Sequence, residues 1–184
     1  LKSSMMQFHI QLILLSKNWI TSVSGVSSYF QDVNKWTMAE GRFISSKNVE
    51  NRERVAVVGQ TVVKNLFAGE DPVGKEIRVK NIPFRVIGVL NSKGNGTMGN
   101  DQDDAIFIPY TTAMERVEGV DYLRMVYVVA NDYNGIDRLQ SDIENLLRVR
   151  HSFKDTNLDD FNILNLNSSM VTMVQTTGTL RWFF

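Results

Sequence analysis

At 184 residues the chain is long enough to bury a hydrophobic core, as one domain or as two small subdomains. Its 43% hydrophobic and 22% charged residues are ordinary for a globular protein, and its 20 basic and 20 acidic side chains cancel, leaving no overall field to draw in nucleic acid or an anionic membrane. The lack of cysteine excludes disulfides, thiol nucleophiles and cysteine-metal clusters together, and no apolar run reaches the roughly 18 residues that cross a bilayer.

Phe8 to Leu15 alternates, with Phe8, Ile10, Leu12 and Leu14 on one face and His9, Gln11, Ile13 and Leu15 on the other, so a mostly buried strand is expected. Lys17-Asn18 reads as a turn that returns the chain into a second strand over Trp19 to Val26. Tyr29, Phe30 and Trp36 then mark a short helix or turn at a subdomain junction. In Glu40-Gly41-Arg42-Phe43 the glycine supplies a tight turn, and Ser45 to Arg54 is polar enough for a surface loop. The β-branched run Val55 to Val58, ending in Gly59, reads as a buried strand feeding directly into a helix. Val62, Val63, Leu66 and Phe67 share one face of that helix, and Gly69 suits the left-handed position at its end.

Asp71-Pro72 and Gly74 make a turn, after which Ile77 and Val79 alternate with Glu76, Arg78 and Lys80 in a half-exposed strand. A turn at Asn81-Ile82-Pro83 leads to a strand over Phe84 to Leu90, completing a hairpin. Ser92 to Asp104 holds Gly94, Gly96 and Gly99 with Asp101, Asp103 and Asp104, the composition of a mobile surface loop. A strand over Ala105 to Pro109, a short helix over Thr111 to Val117 and a strand over Arg124 to Ala130 follow. The clearest helix has Asn134 as its cap, Asp137 near its positive dipole end, and Ile136, Leu139, Ile143, Leu146 and Leu147 in one stripe, with Glu144 four residues before Arg148. A last strand is expected over Phe161 to Leu166, then a helix capped by Ser168 or Ser169 that includes Met170, Val171, Met173 and Val174. The closing Leu180, Trp182, Phe183 and Phe184 have the composition of a helix meeting a membrane surface, and equally that of a packed hydrophobic terminus.

Motifs that would carry chemistry fail on inspection. Gly69 to Lys75 spells G-x-x-x-x-G-K, but Glu76 stands where a hydroxyl must ligate magnesium, and the segment follows a helix and precedes a strand, the reverse of a phosphate-binding loop. Val55 to Gly59 matches only in part the start of a dinucleotide-binding unit, because Thr61 and Lys64 replace the other glycines. Asp101, Asp103 and Asp104 could offer oxygen to calcium but lack the closing glutamate of an EF-hand, so a solvated acidic loop is the simpler reading. His9 and His151 lie far apart in sequence and read as structural. No catalytic, cofactor-binding or metal residue is therefore assigned, and the residues themselves define a two-part α+β domain with a binding or mechanical role.

One combination of short motifs is more specific than any single piece. It comprises Gly25-Val26 with Tyr29-Phe30, then Glu40-Gly41-Arg42-Phe43, Arg54 to Gly59, Leu66-Phe67, Asp71-Pro72-Val73-Gly74-Lys75 with Ile77, Phe84 to Leu90 including Gly88, and Ile108-Pro109 with Thr111-Thr112. In this the chain resembles the periplasmic core domain of MacB-type ABC transporter permeases. The resemblance implies a β-α-β porter-like unit built from both chain ends, residues 1–36 and 122–184, and an inserted mixed α/β sabre-like unit, residues 37–121. Thr179-Leu180 would begin the family's second membrane helix. Leu1 to Trp19 has room for one strand where the family has a fuller strand-helix-strand, which implies residues missing near Ser4 to Met6 or a reduced porter half.

The function implied is mechanical. ATP would be hydrolysed in a separate cytoplasmic domain of a homodimeric inner-membrane transporter, and the periplasmic domains would expel a macrolide-, peptide- or toxin-like substrate toward a membrane-fusion adaptor and an outer-membrane channel. No cofactor is implied in this domain. Related permeases imply two alternatives: passing a lipoprotein to a chaperone, or acting as a scaffold that regulates cell-wall hydrolases.

Overall fold

The computed structural model describes residues 2–14, 17–96, 99–123, 125–128, 135–151 and 159–165, the backbone only up to residue 18. The chain divides into two compact units, Leu1–Val129 and Ala130–Phe184.

In the first unit the strands are β1 (Lys2–Leu14), β2 (Lys17–Val26), β3 (Met38–Gly41), β4 (Val55–Val58), β5 (Glu76–Val79), β6 (Ile82–Leu90), β7 (Ala105–Pro109) and β8 (Met125–Val128). All join one mixed sheet. Neighbours run β2-β7-β4-β6-β5-β1, and β1 pairs again with β2, so these strands close a hydrogen-bonded circuit, with β3 added to β6 and β8 to β1. The length of β1 makes closure possible. Met5 to Leu14 oppose β2 along one edge, while the other edge takes Val128 to Met125 of β8 at Lys2 to Met5 and Val79 and Arg78 of β5 at Leu12 and Ile13. Ser4 to Met6 lie within this continuous strand.

β4 is paired on both sides, parallel to β6 and antiparallel to β7, and all four of its residues are buried. That explains its unbroken apolar sequence, since neither face meets water. Ala56 and Val58 pack with Ile77, Val79, Phe84, Ile106 and Ile108 beneath two helical segments. The first is α3 (Gln60–Val62), which widens into a π-helical turn over Val63–Phe67; the second is α4 (Tyr110–Thr112), which does so over Ala113–Glu118. Val62, Leu66, Phe67, Ala113 and Val117 are their buried residues toward this core. Val55 and Val57 face the opposite layer, which holds Phe30 of α1 (Phe30–Val33), Trp36, Phe43, Ile44 and Phe107. A completely buried side chain such as Phe84 contributes about 1.5–3 kcal/mol through burial alone.

β6 serves both layers because of a bulge. Val86 lies opposite Ala56 but Gly88 lies opposite Val57, so Ile87 is the extra residue and the alternation reverses there. Phe84, Val86 and Val89 thus enter the first core while Ile87 and Leu90 enter the second.

Several sequence expectations are corrected. Lys17 and Asn18 belong to β2, opposite Leu14 and Ile13, because the hairpin with β1 runs further than the local turn signal indicated. The polar stretch after Ser45 contains a helix, α2 (Ser46–Glu50), closed by a reciprocal capping box between Ser45 and Asn48. The turn between β5 and β6 is Lys80-Asn81, both at positive φ, with Ile82 already paired to Val79. The left-handed position after the first π turn is Ala68, with Gly69 also at positive φ.

The second unit contains α5 (Ile136–His151), whose Ile136, Leu139, Ile143 and Leu147 are half-buried on one stripe, while Leu146, expected to share it, is exposed. Asp137 lies in its first turn, and Glu144 stands 3.9 Å from Arg148. Arg148 also clasps Asp159 through Nη2 at 2.7 Å and Nε at 3.0 Å to one oxygen, a charge-assisted fork that ties the last turns of α5 to the segment beyond it. Arg148→Gln should therefore speed hydrogen exchange over Leu147–His151 and leave the first turn unchanged, as read by exchange mass spectrometry. Residues 159–165 are irregular, so no strand forms over Phe161 to Asn165; His151 instead meets Asp160 at 2.8 Å and packs edge-on against Phe161. Arg124, Val129, Ala130, Asn134 and the expectations placed on residues 166–184 lie outside the described residues.

Candidate functional site

The motif residues converge first on an aromatic cluster centred on Phe107. Its ring lies 5.0 Å from Phe30, 5.9 Å from Trp36 and 6.2 Å from Phe43, tilted or edge-on in each case, and Tyr127 extends the group 6.4 Å beyond Phe30. Phe43 reaches it because Gly41 turns the chain with φ +69 and Arg42 N–H donates to the Ile87 carbonyl at 3.0 Å. A side chain on Gly41 would meet that carbonyl at 2.2 Å, and one on Gly88, its partner across the ladder, would meet the Arg42 carbonyl at 2.5 Å. Arg42 then donates from Nη1 to the buried Asn48 amide oxygen at 3.2 Å, and Asn48 donates to Glu53 at 2.7 Å.

The other motif residues hold separate positions. Gly25 faces Ile108 across β2 and β7, and its bare Cα lets Ala113 pack closely, a Cβ there lying 2.6 Å from that of Ala113. Gly59 starts α3, Leu66 and Phe67 are buried in its π turn, and Pro109 ends β7 just before α4. Asp71 Oδ1 accepts Val73 N–H at 2.8 Å, Gly74 N–H donates to Val86 O at 2.9 Å, and Val86 N–H donates back to Lys75 O at 2.9 Å, so Asp71 to Lys75 is a turn stitched to β6. Lys75 pairs with Glu70 and sits 5.9 Å from the Phe67 ring centre. Tyr29 is half exposed at the start of α1.

Where a mobile loop was expected over Ser92 to Asp104, the described residues 92–96 and 99–104 are held by a network of hydrogen bonds. Asp103 is 5% exposed, and its carboxylate accepts the Ser92 hydroxyl, Lys93 N–H at 2.7 Å and Gly94 N–H at 3.0 Å. Gln102 N–H donates to Gly94 O at 3.1 Å and Gly96 N–H to Asn100 O at 2.8 Å, around a bridge between Asn95 and Asp101. Asp101 accepts Thr61 Oγ1 at 2.7 Å, and Asp104 accepts Trp19 Nε1 at 2.9 Å. The three carboxylates are thus spent on three different internal tasks. Sequence reasoning missed this because an aspartate among glycines and asparagines looks solvated; the signal for Asn48, by contrast, was present in its spacing of three from Ser45.

Burial opposes ionisation of Asp103, but the Lys93 N–H, the Ser92 hydroxyl, the Gly94 N–H and the Lys93 ammonium outweigh it and hold the carboxyl below the ordinary carboxylate value. A carboxyl depressed in the folded state stabilises the fold above its unfolded value of about 3.9 and loses that contribution as pH falls through the folded value. The stability gap between wild type and Asp103→Asn should therefore be constant from neutral pH to about pH 5 and close under stronger acid, as measured by denaturant titration across pH.

β8 presents an apolar edge. Met125, Val126 and Val128 are exposed, as are Tyr122 and Leu123 just before the strand. Among the described residues no helix is long and apolar enough to cross a membrane.

The sequence matches the family described as the MacB-like periplasmic core domain over residues 3–146. The chain belongs to that family: it is a MacB-type periplasmic domain of an ABC transporter permease. Among curated relatives, the macrolide export ATP-binding/permease protein MacB of Azoarcus sp. is 40% identical over 160 residues, 87% of this chain and 24% of that protein. The protein of the same name from Rhodospirillum rubrum is 42% identical over 161 residues, again 87% of this chain and 24% of that protein. The chain thus spans about a quarter of these relatives' length. The solved periplasmic region of MacB from Actinobacillus actinomycetemcomitans superposes with TM-score 0.75 at 23% identity, covering 94% of this chain and 74% of that one. The extracellular domain of the noncanonic ABC-type transporter YknZ from Gram-positive bacteria gives 0.73 at 18% identity, covering 83% and 76%. Both share the mixed α/β fold and agree with the porter-like and sabre-like description.

Proposed function

We propose that this domain works without catalysis or a cofactor of its own, as a mechanical relay on the periplasmic side of a bacterial inner membrane. In this reading residues 1–36 and 122–184 form the porter-like part and 37–121 the sabre-like part, joined to the transporter's own membrane helices and ATP-binding domain. ATP-driven closure of a homodimer would bring two copies of the domain together and expel substrate toward a membrane-fusion adaptor and an outer-membrane channel. The observation that supports it most is family membership, at 40% identity to a macrolide export permease, in a chain whose motif residues are spent on turns, close backbone contacts and an aromatic core. The closed strand circuit fits the role, because a sheet bonded edge to edge transmits displacement with little deformation.

The test is a capture experiment with the full transporter, offering a hexameric adaptor and a lipoprotein chaperone in parallel. Retention of the adaptor alone is expected. Retention of the chaperone alone would replace export by lipoprotein release, and retention of neither would favour a scaffold for cell-wall hydrolases. Nucleotide-independent turnover by the domain would contradict the reading in all three forms.

A further inference from the structure

We propose that residues 91–96 and 99–104 form a rigid cross-brace, footed at one end on the start of α3 and at the other on the Asn34–Met38 segment, which couples the two layers on opposite faces of the sheet. At the first foot Thr61 N–H donates to the Asp103 carbonyl at 3.3 Å, Thr61 Oγ1 donates to Asp101 at 2.7 Å, and Asp101 accepts Asp103 N–H at 2.8 Å. Gly59 backs onto the same carbonyl so closely that a Cβ would lie 2.1 Å from it. At the second foot the Asn91 side chain donates to Thr37 Oγ1 at 2.9 Å and to Met38 O at 3.1 Å, and its N–H donates to Thr37 O at 2.9 Å. Lys93 Nζ stands 4.0 Å from the Trp36 ring centre and donates to the Asn34 carbonyl.

The Asp103 carboxylate joins the feet. It holds Lys93 N–H and Gly94 N–H from the far end of the loop, fixing the backbone from which the Lys93 side chain reaches Trp36. Val62, Leu66 and Phe67 at the first foot belong to one core, and Trp36 at the second belongs to the other. The brace deepens the relay reading, on which its use in transport rests, but its existence is testable without any transport assay.

The experiment is hydrogen exchange and fluorine NMR on the full chain labelled with 5-fluorotryptophan, with Trp36 assigned through Trp36→Phe. In wild type, Gly94, Gly96 and Gln102 should be protected. Asp103→Asn should raise exchange at Gly94 and Gln102 by about tenfold or more and also shift the Trp36 resonance, although Lys93 stands between the two residues. Should that variant not fold, Lys93→Met provides the reverse test, with faster exchange expected at Asn91 and, across the loop, at Thr61. Wild-type amides exchanging as free peptide would overturn the brace, as would either variant loosening its own foot with no change at the other. The adaptor capture is indifferent to these outcomes, so failure of the brace and failure of the relay are separable.

Discussion

Phe107→Ala should cost about 3–5 kcal/mol of folding stability, a large loss for a single side-chain truncation. The residue is 4% exposed in the middle of β7, with rings of Phe30, Trp36 and Phe43 around it. These come from three segments, each separately held: Phe30 N–H by Ser27 O, Trp36 N–H by Gln31 O, and the chain before Phe43 by the Arg42–Ile87 hydrogen bond. None can slide inward to fill the hole without breaking backbone bonds, which places the cost at the upper end of the range for core truncations. Phe107→Leu keeps most of the volume and should cost about 1 kcal/mol. Urea titrations would read both as shifts of midpoint at unchanged slope, and a loss for Phe107→Ala no larger than that for Phe107→Leu would remove the aromatic cluster as the anchor of this face.

Gly59→Ala should destabilise by about 3 kcal/mol for a different reason. Gly59 has φ −84, a conformation alanine adopts freely, so backbone strain is not the cause. The obstacle is the Asp103 backbone, with the carbonyl oxygen 2.1 Å and the carbon 2.9 Å from the new methyl group. That backbone cannot retreat cheaply, because the Asp103 carboxylate is engaged by Ser92, Lys93 and Gly94. Gly74→Ala is the contrasting control: it has open space around the Cβ position but φ +86, so it should cost about 1–2 kcal/mol through conformation alone. Equal losses in the two variants would show that close packing at Gly59 is not what the position requires.

The strands that were legible in the sequence were those whose environment is local and uniform. Val55–Val58 is apolar throughout because it is paired on both edges and covered on both faces, and Glu76–Val79 alternates because one face is wet. What the sequence hid depends on distant partners. Nothing near Leu1–Leu14 states that one strand will pair with β2, β5 and β8 together and close a circuit, since each pairing is made with residues far along the chain. Gly88 was visible as a motif residue, but the bulge beside it, which lets one strand feed two cores, follows from its register against β4. The same holds for the candidate site. Phe30, Phe43 and Gly41 were picked out as a resemblance, while Phe107, which unites them, reads in isolation as one apolar residue in a short strand. Asp103 carried the opposite error, because a polar residue in a polar loop gives no local sign of being folded inward.

The relay itself is tested most directly by distances. The chain has no cysteine, so Lys64→Cys and Asn100→Cys, both at exposed positions, place spin labels uniquely in this domain. In the full transporter reconstituted in lipid, pulsed electron spin resonance on singly labelled dimers should show the separation between copies shifting by several ångströms when ATP is trapped. The Lys64–Asn100 separation within one copy should stay fixed. Intercopy distances that ignore the nucleotide, or an internal separation that changes as much as the external one, would contradict a domain that moves as a rigid part.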